Sequence, residues 1–353
     1  MSDDLGAAPG LEPLIDPDAL TAYLDAHFGD VVPLEIERHQ AGHSNETFFV
    51  TRGAARYVLR RPPRPPYLPT AHDVAREHTV ISGLSKVGVR VPDPVLLCTD
   101  VAIIGAPFFI MERVDGTVIR DQVPADLDIP AERRRISEEF VDAMAELHAA
   151  SVEDAGLTGF GKPNGYIARQ ISRWTQQLEG ATKFTRPVPD LEKVAAWLSE
   201  HQPPEQPTTI VQGDFKLDNV IFAPGAPARL AAILDWEMAT RGDPLADLGY
   251  ALSFWRERDD DADPLHGSLG DVFSGEGWLT RRELVERYAR ITGREVGELT
   301  FYVTLAVWKL AILLEGSYAR HLMGTTDDPF FAALEQGVPA LAARAMQISN
   351  TGL

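Results

Sequence analysis

The chain has little cysteine, a deficit of basic charge, and none of several motifs that define other chemistries. Cys98 is the one cysteine among 353 residues, so no disulfide can form within the chain, which fits a reducing cytoplasm. It sits in the apolar run Val95-Leu96-Leu97-Cys98 with no activating group nearby in sequence, and reads as a small core residue. Lys and Arg number 33 against 52 Asp and Glu, a net charge of −19. An acidic surface repels phosphate backbones, so nucleic acid is not an expected partner. A cationic substrate is permitted but not required, because acidity also serves solubility.

The nine histidines are scattered, with no His-x-x-x-His or His-Glu-x-x-His pair to suggest zinc. There is no Gly-x-Ser-x-Gly elbow and no Gly-x-x-x-x-Gly-Lys-Ser/Thr loop, which argues against a serine hydrolase and a P-loop enzyme. The longest apolar stretch, residues 301–314, is interrupted by Lys309 and reads as too short to span a bilayer. Asp3 and Asp4 stand where a secretory leader would be apolar, so a cytoplasmic protein is expected. Neither stable membrane association nor an obligate protein partner is indicated.

What is present centres on Val211-Gln212-Gly213-Asp214-Phe215-Lys216-Leu217-Asp218-Asn219, followed by Ile233-Leu234-Asp235. Residues 208–211 are β-branched and apolar, as in a short buried strand. They deliver Asp214 onto a tight loop after Gly213, and a second apolar strand, residues 230–234, ends on Asp235. Phosphoryl transfer from ATP needs a carboxylate to orient or deprotonate the acceptor hydroxyl, and an amide oxygen and a second carboxylate to hold Mg²⁺. Asp214, Asn219 and Asp235 have the types and order for those tasks, and Lys216 could offset charge on the γ-phosphate. Singly, each acid could merely cap a turn or end a strand. Together they predict an ATP- and Mg²⁺-dependent transferase acting on a small-molecule hydroxyl.

Those residues, with Leu234-Asp235-Trp236-Glu237 and Gly242-Asp243-Pro244-Leu245-Ala246-Asp247-Leu248-Gly249, resemble the aminoglycoside phosphotransferase family. The run 235–249 most resembles the branch associated with acyl-CoA dehydrogenases. The resemblance implies an α+β, protein-kinase-like fold of two lobes. The first, residues 1–113, would be a small antiparallel β lobe with one long helix that binds nucleotide. The second, residues 118–353, would be larger, mainly helical, and carry catalysis and acceptor binding, with a hinge near 112–118. One departure is Gln212, where the family usually has His bracing the catalytic loop; Gln can hydrogen-bond but cannot reproduce the ring packing.

Residues 34–40 and 47–51 alternate like strands around Ala41-Gly42-His43-Ser44-Asn45-Glu46. That turn reads either as an ordinary hairpin or as a cradle in which Gly42, Ser44 and Asn45 meet nucleotide phosphates. Beside the Asp214 loop the nucleotide reading is favoured. The resemblance places Arg60, on a third strand, against the α- and β-phosphates. Glu77, on the helix at 71–84, is its best partner; the alternative is a solvated helix residue. It also places Glu112 and Val114 in the hinge that meets adenine, and Asp247 under the catalytic loop. The acceptor is open between a hydroxyacyl-CoA or hydroxy acid and an aminoglycoside. A catalytically weak ATP-binding regulatory module is the alternative from outside enzymology. The five acids Glu257, Asp259, Asp260, Asp261 and Asp263 read as a solvated loop in preference to a polyamine patch.

Overall fold

The computed structural model describes residues 14–39, 45–64, 72–258, 260, 272–297, 299–324 and 329–352. The chain divides into two compact units, Met1–Asp115 and Gly116–Leu353.

The first unit is built on five antiparallel strands: β1 (Leu34–His39), β2 (Glu46–Arg52), β3 (Ala55–Arg61), β4 (Pro94–Cys98) and β5 (Phe108–Glu112), in the order β1-β2-β3-β5-β4. Alternation along β2 turns Phe48 and Val50 into the core. There they meet Leu20 and Leu24 of helix α1 (Pro17–Phe28), together with Leu59, Cys98, Phe108 and Ile110. The ends of α1 are written in its sequence. Asp16 accepts from the backbone N–H of Asp18 and Ala19 at 3.0 and 3.1 Å, Pro17 opens the first turn, and Gly29 closes the helix at φ 76°. Helix α2 (Val74–Lys86), capped by Asp73, packs on β4 and β5 and buries Glu77. A single helical turn, α3 (Val101–Ile104), joins β4 to β5.

The second unit is mainly helical: α4 (Pro130–Ala149), α5 (Tyr166–Ala181), α6 (Pro189–Glu200), α7 (Pro244–Phe254), α8 (Arg281–Thr292), α9 (Thr300–Leu322) and α10 (Pro329–Thr351). Helix α9 is its axis and packs against α5, α6, α7 and α10, and Trp308 donates its indole N–H to Leu191 O on α6 at 2.9 Å. Among the described residues α9 is the one helix long and apolar enough, by length and composition alone, to cross a membrane; it extends beyond the stretch 301–314 that was expected to be too short. Its 23 residues exceed the apolar run visible in sequence, and 67 % of its apolar window is buried within the protein. Two short antiparallel pairs complete the unit: β6 (Thr209–Val211) with β9 (Thr240–Gly242), and β7 (Val220–Phe222) with β8 (Leu230–Ile233). The α+β class expected from sequence is the class observed.

Candidate active site

The β6–β7 connection carries residues 212–219 and the β8–β9 connection carries 234–239. Backbone geometry locks the two together. Gly213 has φ +89°, and a Cβ there would lie 2.9 Å from Met238 O, so both conformation and space call for glycine. Leu234 N–H donates to Asn219 O at 2.7 Å, which extends the Val220–Ile233 pairing and brings Asn219 alongside the end of β8.

Gln212 is fully buried and spends its whole side chain on this junction. Its amide donates to Leu234 O (3.0 Å) and Asp235 O (2.7 Å), and its carbonyl accepts from Asp214 N–H (2.6 Å). Asp247, one turn into α7, receives Gln212 N–H on one oxygen at 2.7 Å and Gly213 N–H on the other at 2.8 Å. His148 of α4 bonds the same carboxylate at 3.2 Å and Tyr288 of α8 at 2.8 Å.

The Asp214 carboxylate is therefore presented from a braced loop. Asn219 donates to its Oδ2 at 2.7 Å and to its backbone O at 2.9 Å, and Lys216 Nζ lies 3.6 Å from Oδ2. Tyr250 of α7 lies within electrostatic reach of the Asp214 carboxylate. Burial, and then the Asp214 charge, push this phenol well above its ordinary value, so it stays a protonated donor. Asp218 is raised by burial, against the pull of Lys216 and Arg120.

Asp235 follows β8 with φ +57°, a left-handed conformation that costs a non-glycine residue free energy. The Asn219 N–H₂ is given to Asp214, which leaves its amide oxygen over, and Asp235 brings a carboxylate on the adjoining connection. That set suits Mg²⁺, which takes one or two carboxylates and completes its shell with phosphate and water. Among the described residues no three His, Cys, Asp or Glu side chains converge, so a cage made wholly of such ligands is not on offer.

In the first unit, Arg60 and Glu77 form a buried ion pair. Asn45 Nδ2 lies 3.4 Å from Glu77, and His72 meets Asn45 Oδ1 at 3.1 Å. Asn45 thus directs its side chain to the ion pair. Gly42 and Ser44 lie outside the described residues. Glu112 ends β5 with its N–H on Asp93 O (2.8 Å). Arg113 N–H is held by Arg56 O (3.1 Å) just before Val114, which is half-buried.

Sequence reasoning missed His148, Tyr250 and the role of Lys309. The Lys309 ammonium donates to Gly213 O and lies 4.9 and 5.7 Å from the ring centres of Tyr250 and Trp174. One signal was available: a lone lysine in an otherwise apolar helix.

Residues 35–284 match the family model described as the phosphotransferase enzyme family. A Ralstonia eutropha protein of known structure, named for the aminoglycoside phosphotransferases, is 32 % identical, with 95 % of this chain and 98 % of that one superposed at a TM-score of 0.79. A spectinomycin phosphotransferase in complex with ADP and spectinomycin shares 10 % identity but the same fold, at a TM-score of 0.59 over 94 % of this chain and 99 % of the other. The fold is kinase-like, and the chain belongs to the phosphotransferase enzyme family. Acyl-CoA dehydrogenase family member 11 of Gallus gallus is 35 % identical over 326 residues, covering 90 % of this chain and 40 % of the relative. The chain spans about two fifths of the length of such curated relatives.

Proposed function

We propose that the protein is an ATP- and Mg²⁺-dependent phosphotransferase that moves the γ-phosphate to a hydroxyl of a small molecule, with a hydroxyacyl-CoA or hydroxy acid as acceptor. The observation that carries this reading is the Asp214 carboxylate, held by Asn219 with Lys216 alongside. Asp214 orients the acceptor hydroxyl and takes its proton as the oxygen attacks the γ-phosphorus and ADP departs. Lys216 offsets charge on the group in flight. Bound at Asn219 and Asp235, Mg²⁺ would neutralise charge on the phosphates. Arg60, fixed by Glu77, is the cation assigned to the α- and β-phosphates. The rigid bracing of Gln212 and Asp247 supports a site that works by positioning and electrostatics.

The acceptor class rests on the names of the dehydrogenase-associated relatives. An aminoglycoside acceptor is the second reading, favoured by the name of the Ralstonia relative. A catalytically weak nucleotide-binding module is the third. The test is ADP release from Mg-ATP over hydroxyacyl thioesters, hydroxy acids and aminoglycosides. Stimulation by one class, lost in Asp214→Ala with ATP affinity retained, supports the reading. Transfer that survives Asp214→Ala near its original rate refutes the role of Asp214. Nucleotide binding indifferent to Mg²⁺, without any transfer, favours the third reading.

A further inference from the structure

In the first unit two further side chains, from different parts of the sequence, converge on the Arg60–Glu77 pair. Register places Arg60 of β3 opposite Thr47 of β2, so Asn45, just before β2, stands at the same end of the sheet. Glu77 lies one turn into α2 and is 1 % exposed. Its Oε1 receives the Arg60 guanidinium, and its Oε2 faces Asn45 Nδ2 at 3.4 Å. Each carboxylate oxygen has its own partner, which fixes the plane of the group as well as its place. An amide that turns its N–H₂ to a carboxylate turns its oxygen away. Asn45 is 7 % exposed, so that oxygen needs a donor from the protein. His72 Nδ1 meets it at 3.1 Å and, carrying its proton there, sets which way the amide points. His72 does so at φ +63°, a left-handed conformation that costs a residue with a Cβ about 1–2 kcal/mol. The start of α2 does not call for a histidine at this position, because Asp73 supplies the cap by accepting from Arg76 N–H at 3.0 Å.

A buried ion pair is a weak source of stability, and an amide and an imidazole spent on orienting it suit a pair whose direction matters. We propose that Asn45 and His72 are positioning residues for the phosphate grip: His72 orients the Asn45 amide, Asn45 holds Glu77, and Glu77 aims Arg60 at the α- and β-phosphates. The inference rests on the phosphotransferase reading, in which Arg60 is the cation of those phosphates, and deepens it by assigning what directs that cation. Asn45 acts through Glu77 and makes no phosphate contact of its own, in place of the cradle role its sequence position suggests.

The test is calorimetric titration of the whole chain with Mg-ATP and, separately, with adenosine, which has no phosphate for Arg60 to grip. Wild type is compared with Asn45→Ala, His72→Gly, His72→Asn, Glu77→Gln and the double variant Asn45→Ala with Glu77→Gln, after thermal melting has shown each to be folded. Asn45→Ala should weaken Mg-ATP binding roughly three- to thirtyfold and leave adenosine binding unchanged. His72→Gly suits the left-handed backbone but lacks the donor, so it separates the hydrogen bond from the strain and should cause the same selective loss. His72→Asn tolerates that backbone and places an N–H₂ as many bonds from Cα as Nδ1, so it should restore most of the affinity. On the Glu77→Gln background Asn45→Ala should add little, because its effect passes through Glu77. Mg-ATP binding unchanged in Asn45→Ala, an equal loss for ATP and adenosine, or an additive loss in the double variant, as direct phosphate contact would give, overturns the relay alone. Should Glu77→Gln fail to fold, the histidine variants decide: His72→Gly equal to wild type, or His72→Asn no better than His72→Gly, overturns the role of His72. Selective loss of ATP affinity with no phosphorylation of any acceptor upholds the relay and overturns the phosphotransferase reading instead. Wild type that binds no Mg-ATP overturns both.

Discussion

Gln212 is the residue on which the geometry of the catalytic loop converges. One side chain joins the backbone of Asp214 to the carbonyls on either side of the Leu234–Asp235 bond. The expectation that glutamine loses the ring packing of histidine was sound as chemistry. It missed that an amide can donate twice and accept once, a pattern no single neutral imidazole supplies. Gln212→Ala leaves one buried N–H and two carbonyls without this partner and should destabilise the protein by about 2–4 kcal/mol, read from urea midpoints. It should also lower kcat more than ATP affinity.

Lys309 makes a pH prediction for stability. Its neighbours are Asp214 on the loop and Asp247 on α7, which favour the charge, and Arg173 on α5 and Lys216, which oppose it. Burial lowers its folded value from 10.5 to about 8. Between pH 8 and 10.5 the unfolded chain binds more protons at this site, so this group's contribution to stability should increase with pH over the same window. Lys309→Arg should remove this effect, and denaturant midpoints between about pH 7 and 10 check it. Nothing local in the sequence could have placed this lysine, since the carbonyl it binds lies 96 positions away.

At the scale of elements, the ends of helices were the most legible features, because caps are local chemistry. Asp16 and Asp243 each precede a proline and cap a helix, and Thr280 with Glu283 forms a capping box, patterns that can be read from a few adjacent residues. The strand β9 was not legible, since Thr240-Arg241-Gly242 has no apolar pattern and exists by pairing with β6. The acidic loop after α7 was misread in part. Asp260 pairs with Arg281, and Glu257 accepts the Arg281 N–H at 2.5 Å, so these two acids anchor the start of α8. Asp259, Asp261 and Asp263 lie outside the described residues. Helix crossing supplies a sharper prediction. At Gly249 on α7 an added Cβ would fall 2.6 Å from Tyr302 Cβ and 2.7 Å from its carbonyl carbon on α9. Gly249→Ala should cost roughly 1–3 kcal/mol through overpacking. A melting curve checks it.

For the molecule as a whole, the grouping of Asp214, Asn219 and Asp235 on adjoining connections was legible because their order along the chain follows the strands that present them. Where an acceptor would sit was not, because large-lobe helices bring together scattered side chains that no motif marks. The net charge of −19 excludes little beyond polyanions. A nucleotide that binds the folded chain alone should raise its melting temperature in proportion to the logarithm of its concentration. Mg²⁺ should enlarge that rise, and Asp235→Asn should diminish the enlargement.

The most direct measurement is mass-spectrometric detection of phosphorylated acceptor after incubation with Mg-ATP, wild type against Asp214→Ala, using the hydroxy acid or thioester that binds most tightly. A phosphorylated product in wild type, reduced by several orders of magnitude in Asp214→Ala while ATP still binds, is the predicted result. Equal product from both proteins would contradict the assignment of Asp214 as the group that prepares the acceptor hydroxyl.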